Sequence, residues 1–147
     1  MGHYVSFRTN RFDSTTVKPH FINPETGFGE DVITWLRQNV QHPDIVLESP
    51  IQEDYGWGIW ANVRGTPYWI AASLVDKGDE THLPEWGVTV VYERGCNPFR
   101  RLPPTRKEDL LLLSRTIDDV LHADPAITEI QWWREGFEQG QPTAHPE

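Results

Sequence analysis

Trp57-Gly58-Ile59-Trp60-Ala61-Asn62-Val63 and Pro67-Tyr68-Trp69-Ile70-Ala71-Ala72-Ser73-Leu74-Val75 are separated by a turn around Arg64-Gly65. Both runs are rich in the β-branched and aromatic residues that strands favour, and glycine supplies the positive φ a tight hairpin needs. Alternation then sorts the side chains. Ile59, Ala61 and Val63 share one face and Trp60 takes the other; Tyr68, Ile70 and Leu74 oppose Trp69, Ala71, Ser73 and Val75. Both faces of the hairpin therefore carry apolar groups. This makes the sheet, more than the helices, the place where function is to be sought.

Working outward, Asp44–Glu48 reads as a strand broken by Ser49-Pro50, and Trp86–Tyr92 as the strand after a charged loop over Asp76–Pro84. Tyr4–Arg8 alternates as a first strand, and Ile127–Trp133 as a last one, with one indole of Trp132-Trp133 on each face. Two helices interrupt the strands. The first is predicted over Phe28–Gln41, with Val32, Ile33, Leu36 and Val40 on one face, and His42-Pro43 ends it. The second follows Pro103-Pro104 and a capping box, Thr105 to Glu108, and carries a stripe of Leu110, Leu113, Ile117, Val120 and Leu121. Asp124-Pro125 stops it. The order β-α-β-β-β-β-α-β predicts a two-layer α+β domain with a mostly antiparallel sheet and both helices on one face. Residues 1–133 form that single domain; 134–147, rich in Gly, Pro and Gln, read as a flexible C-terminal tail without a role in the fold.

The connection Thr9–Thr26 is long and polar, but Phe12, Phe21 and Ile22 within it predict that it is pinned to the body. A two-layer domain leaves one sheet face free of helices. This loop is the expected cover for that face, which would make the tryptophans core; the competing reading is an aromatic platform for a partner or for a second copy of the chain.

Composition sets the outer bounds. The chain has 147 residues, seven tryptophans among 12% aromatics, and a formal charge of −9. A disordered chain is poor in aromatics, so a folded domain is expected. No apolar run approaches the ~20 residues of a membrane helix. One cysteine makes no internal disulfide. The negative charge disfavours nucleic acid. The start lacks a basic segment followed by an apolar core, and the expected location is the cytoplasm. Met1-Gly2-His3-Tyr4-Val5-Ser6 fits a short acylation pattern but reads better as the lead into the first strand.

Candidate chemistry is sparse. The six histidines form no His–His pair at i, i+4 and no zinc motif, so neither a metal nor a cofactor is expected, and His122 reads as a complement to its helix dipole. Cys96 lies in a turn with basic neighbours, where a nucleophile would still need a histidine nearby in space. Gln52-Glu53-Asp54-Tyr55-Gly56-Trp57 gathers two carboxylates, a phenol and an indole, although adjacent Glu53 and Asp54 point apart on an extended chain. Glu30 and Asp31 fit a helix first turn. Gly27-Phe28-Gly29 lacks the Lys-Ser/Thr of a phosphate loop. Arg94, Arg100, Arg101, Arg106 and Lys107 make one basic island, suited to an acidic partner or a phosphate, or to balancing nearby acids.

Three stretches are similar to a known pattern: Thr9-Asn10-Arg11-Phe12-Asp13; Asn23-Pro24 with Phe28-Gly29-Glu30-Asp31-Val32 and Trp35-Leu36; and Gln52–Trp57. They resemble a group of small uncharacterised bacterial proteins with an FGED helix start and a QED(Y/F)GW strand start. The resemblance covers the first half clearly and implies a bacterial cytoplasmic protein. It carries over no catalytic residue, and it directs attention to Glu30, Asp31, Glu53, Asp54 and Trp57.

The function expected is a non-catalytic acidic domain that binds a basic protein, as bacterial immunity proteins do, through surfaces including Trp60 and Trp69. The alternative is a small hydrolase or ligand-binding protein using the rim of Glu53, Asp54, Tyr55 and Trp57 with Glu30.

Overall fold

The computed structural model describes residues 2–92, 107–134, 136 and 138–147. Its elements are β1 (Gly2–Arg8), α1 (Glu30–Asn39), β2 (Ile45–Leu47), β3 (Ile51–Glu53), β4 (Gly56–Val63), β5 (Thr66–Asp76), β6 (Glu85–Tyr92), α2 (Lys107–Ala123) and β7 (Thr128–Arg134). Seven strands make one sheet in the order β2-β4-β5-β6-β1-β7, with β3 also on β4, and every ladder among the described residues is antiparallel. The α+β architecture and order follow the sequence reading, with β3 as an additional short strand. Both β2 and β3 pair with β4 on the same edge, so they are one edge strand interrupted at Ser49-Pro50. Proline has no amide to give a ladder, and it limits edges of this kind.

The hairpin closes as the pattern requires. Arg64 and Gly65 both take positive φ, 51° and 89°, the backbone of a turn matched to strand twist. Register places Trp57, Ile59, Ala61 and Val63 on one face with Tyr68, Ile70 and Ala72. Val5, Phe7, Trp86, Val88, Val90 and Trp132 continue that face across β1, β6 and β7. Both helices cover it: α1 lies on β4 and β5, α2 on β6 and β4, and the helices touch each other. The stripe of α2 buries Leu110, Leu113, Ile117 and Leu121, each contributing about 2 kcal/mol through removal from water. In α1 the buried set is Val32, Ile33 and Leu36 with Trp35 added. The helix is shorter than predicted because Gly29, at φ 129°, starts it and Val40 is already extended.

Two expectations need correction. The Thr9–Thr26 connection is pinned, but to the helix side. Phe12 is buried edge-on to Trp35 and Trp86, Phe21 meets Phe28, and His20 meets Trp57. Ile22 stays exposed. The loop seals the end of the core where Trp57 and Trp86 lie, and among the described residues no helix covers the other face of the sheet. The C-terminal residues also have a place in the fold. Trp132 and Thr143 exchange both main-chain hydrogen bonds, and the Glu147 carbonyl oxygen lies 2.9 Å from Nε2 of His3. Composition pointed to a tail; two-sided pairing of one residue on the edge strand holds it instead.

Candidate functional site

The helix-free face carries two aromatic pairs. Trp60 and Trp69 are direct cross-strand partners with ring centroids 4.9 Å apart, and the Trp69 indole lies across Gly58. A Cβ at Gly58 would stand 2.1 Å from that ring. The Trp69 Nε1–H donates to the Tyr55 hydroxyl at 3.1 Å. At the far side of the sheet Tyr4 lies over Gly87 in the same manner and packs on Trp133, with centroids 5.6 Å apart. Glycine under a ring is a way to seat a large flat side chain on a pleated face. Burial, and then the acids Glu85 and Glu138, push the Tyr4 phenol upward.

Five of the seven tryptophans are buried: Trp35, Trp57, Trp69, Trp86 and Trp132. Trp60 and Trp133 are half-buried. Near Trp60 the apolar Val46, Ile51 and Tyr55 are exposed at the β2/β3 edge, with the polar Asn62 and Glu48 between them. Strand alternation places Ile51 and Glu53 on this same face, opposite Gly58 and Gly56. The patch is thus aromatic and aliphatic in its middle and acidic at its margin.

The residues singled out in the FGED and QEDYGW stretches are brought together in part. Backbone meets backbone: an added Cβ at Gly29 would lie 2.7 Å from the Ala72 carbonyl oxygen, and one at Gly56 would lie 2.3 Å from the same atom. The start of α1 and the start of β4 are therefore neighbours. Their side chains diverge. Trp57 points inward, where its Nε1–H donates to the Gly27 carbonyl at 2.7 Å. Tyr55, Trp60 and Trp69 point outward. Glu30 binds His20 at 2.9 Å, and Asp31 lies 3.4 Å from Lys18 and accepts the Asp13 amide. Asp13 in turn accepts the amides of Thr15 and Thr16, which hold its carboxyl at about 2. Thr26 donates its hydroxyl to the Asp54 carbonyl, whereas the carboxylates of Glu53 and Asp54 have no hydrogen bond or ion pair among the described residues. No hydrogen bond joins either of them to Glu30 or Asp31. Of the basic island, Lys107 is exposed at the start of α2. Arg94, Arg100, Arg101 and Arg106 lie outside the described residues, as do Cys96 and Thr105.

One cluster escaped the sequence reading. Asp118, on α2, is 4% exposed; Trp132 Nε1–H donates to its Oδ1 at 2.7 Å. His145 Nδ1 lies 2.6 Å from its Oδ2, and His122 Nδ1 lies 3.0 Å both from its Oδ1 and from its main-chain carbonyl oxygen, the hydrogen-bond partner. The local trace in the sequence was the i, i+4 spacing of Asp118 and His122; the third member comes from the segment read as a tail.

Compared with family models, curated proteins and solved structures, the chain has no match.

Proposed function

We propose that this α+β protein is a non-catalytic binding domain that holds a basic protein partner against the helix-free sheet face around Trp60, in the manner of a bacterial immunity protein. The observation that carries the reading is the Val46–Ile51–Tyr55–Trp60 patch, bordered by the unpaired carboxylates of Glu53 and Asp54. Exposed tryptophan and tyrosine are the residues that dominate interface energetics. A chain with a charge of −9 accelerates encounter with a basic partner in a salt-dependent way. The short, proline-broken edge of β2 and β3 offers little ladder to an added strand, so recognition falls to side chains. Catalysis by the carboxylate rim has less support, because Glu30 and Asp31 are engaged by Lys18 and His20 while Glu53 and Asp54 stand apart from them.

The test is a photo-crosslinking side chain at Ile51, read in cells of the source organism at low and high salt. A basic protein captured at low salt, and lost both at high salt and in a Trp60→Ser background, supports the proposal. Self-crosslinks alone make this face a homodimer interface and overturn it. An unchanged profile in Trp60→Ser overturns it as well. Trp60 is half-buried on the helix-free face, so with an unchanged urea midpoint in Trp60→Ser a drop in partner affinity of about tenfold or more reads as lost contact.

A further inference from the structure

We propose that Asp118, His122 and His145 form a binding site for a single divalent cation of the zinc class, which clips the C-terminal segment onto α2. The three side chains each present a ligand atom, and these atoms lie within 4.8 Å of one another. Asp118 is the fixed member. It is buried, its Oδ1 is held by the Trp132 indole, and Oδ2 is turned to His145. Orientation of a ligating carboxylate by a second hydrogen bond is the usual support of a metal site.

The charge on that carboxylate has no Lys or Arg beside it among the described residues; two imidazoles face it instead. A buried carboxylate is costly unless a cation compensates it, and two imidazoles can deliver one as a bound metal. The two rings are 5.1 Å apart and tilted by 38°, and both are open to water, at 43% and 68% exposure of the side chain. Exposed rings have room to turn from hydrogen-bond contact to the roughly 3–4 Å separations that ligands adopt around zinc. The solvent side leaves the fourth position to water.

Two nitrogens and one oxygen select the metal. Calcium and magnesium take all-oxygen sets, whereas imidazole suits zinc, cobalt and nickel. The frame is already in place: the paired Trp132 and Thr143 main chains and the Thr143 hydroxyl, which donates to the His145 carbonyl at 2.7 Å, fix the approach of His145.

Zinc chloride is titrated into the full-length chain against a chromophoric chelator, and cobalt(II) absorption reports the coordination. The expected result is one ion per chain, with His122→Ala and His145→Ala each weakening binding by more than about tenfold. His82→Ala, at an unrelated Asp–His contact, leaves it unchanged. Zinc is also expected to slow amide exchange at Thr143 in the wild type but not in His145→Ala. His122→Ala leaves the C-terminal anchors untouched, so it reads the metal separately from the fold. Failure to bind at micromolar zinc overturns the proposal. So does equal binding by the His122→Ala/His145→Ala double variant.

Discussion

Two corners of the molecule invite comparison. One is where α1 begins against β4, the corner that holds the FGED and QEDYGW stretches. The other is where the C-terminal residues return to α2 and β7. The first is rich in motif and poor in convergent chemistry; the second has no motif and holds, among the described residues, a group of three His and Asp side chains with ligand atoms within 4.8 Å of one another. At the first corner the special residues are spent on backbone approach. Gly29 and Gly56, at φ 129° and 150°, both crowd the Ala72 carbonyl, and Trp57 ties Gly27 to the sheet. A run of unusual residue types can thus mark a joint as readily as a site. At the second corner ordinary residues from distant parts of the chain acquire chemistry only by meeting.

The strongest way to break this contrast is Gly56→Ala. The added Cβ would need a disfavoured backbone and would meet main chain that cannot swing away. The expected cost is about 3 kcal/mol, read from the urea midpoint at unchanged slope. A neutral result would return the glycine-containing stretches to the list of possible functional sites.

Trp132→Phe probes the other corner with a smaller effect. An aromatic ring stays in the buried place, smaller than the indole and without its N–H, so Asp118 loses the hydrogen bond that fixes its Oδ1 inside the protein. Hydrogen bonds to charged groups contribute more than neutral ones, so about 2 kcal/mol is expected. The zinc affinity should fall with it if Trp132 orients the carboxylate. A large loss of stability with unaltered zinc affinity would reduce this corner to a structural one.

The same contrast explains what could be read from sequence. The hairpin, α2 and the inward face of the sheet were legible because alternation and helical spacing are local signals, written within a few residues of Trp57–Val75 and Leu110–Leu121. That Trp60 and Trp69 stand opposite Ile59 and Ile70 followed from the same alternation; which of the two faces the helices cover did not. β3 was not legible, since three residues beyond Pro50 carry too short a pattern. The course of the Thr9–Thr26 loop was not legible either: Phe12 announces that it will be buried, but nothing local states on which side. His145 shows the limit most clearly. Its surroundings, Gln-Pro-Thr-Ala-His-Pro-Glu, have tail composition, and only the pairing of Thr143 with Trp132 brings it to Asp118.

The smallest expected effect sharpens the comparison by pH. His3 lies beside the second corner, with Nδ1 2.7 Å from the Ser114 hydroxyl and Nε2 2.9 Å from the Glu147 carbonyl. Burial lowers its pKa from 6.5, Lys107 and Arg134 lower it further, and the Glu147 carbonyl works in the opposite sense. The unfolded chain therefore takes up the proton at a higher pH than the folded one. This contribution to stability is complete above about 6.5 and is lost as pH falls from there through the lower folded value. In His3→Gln, which keeps hydrogen-bonding capacity without titrating, the part of the stability–pH slope below 6.5 that belongs to His3 should vanish. At the first corner the acid Asp13, held at about 2, contributes stability that is lost only as pH falls from the ordinary 3.8 toward 2. Chemical denaturation of the wild type and His3→Gln between pH 5 and 8 separates the two. Parallel curves over that range would mean that burial of His3 does not govern how the C-terminal segment is held.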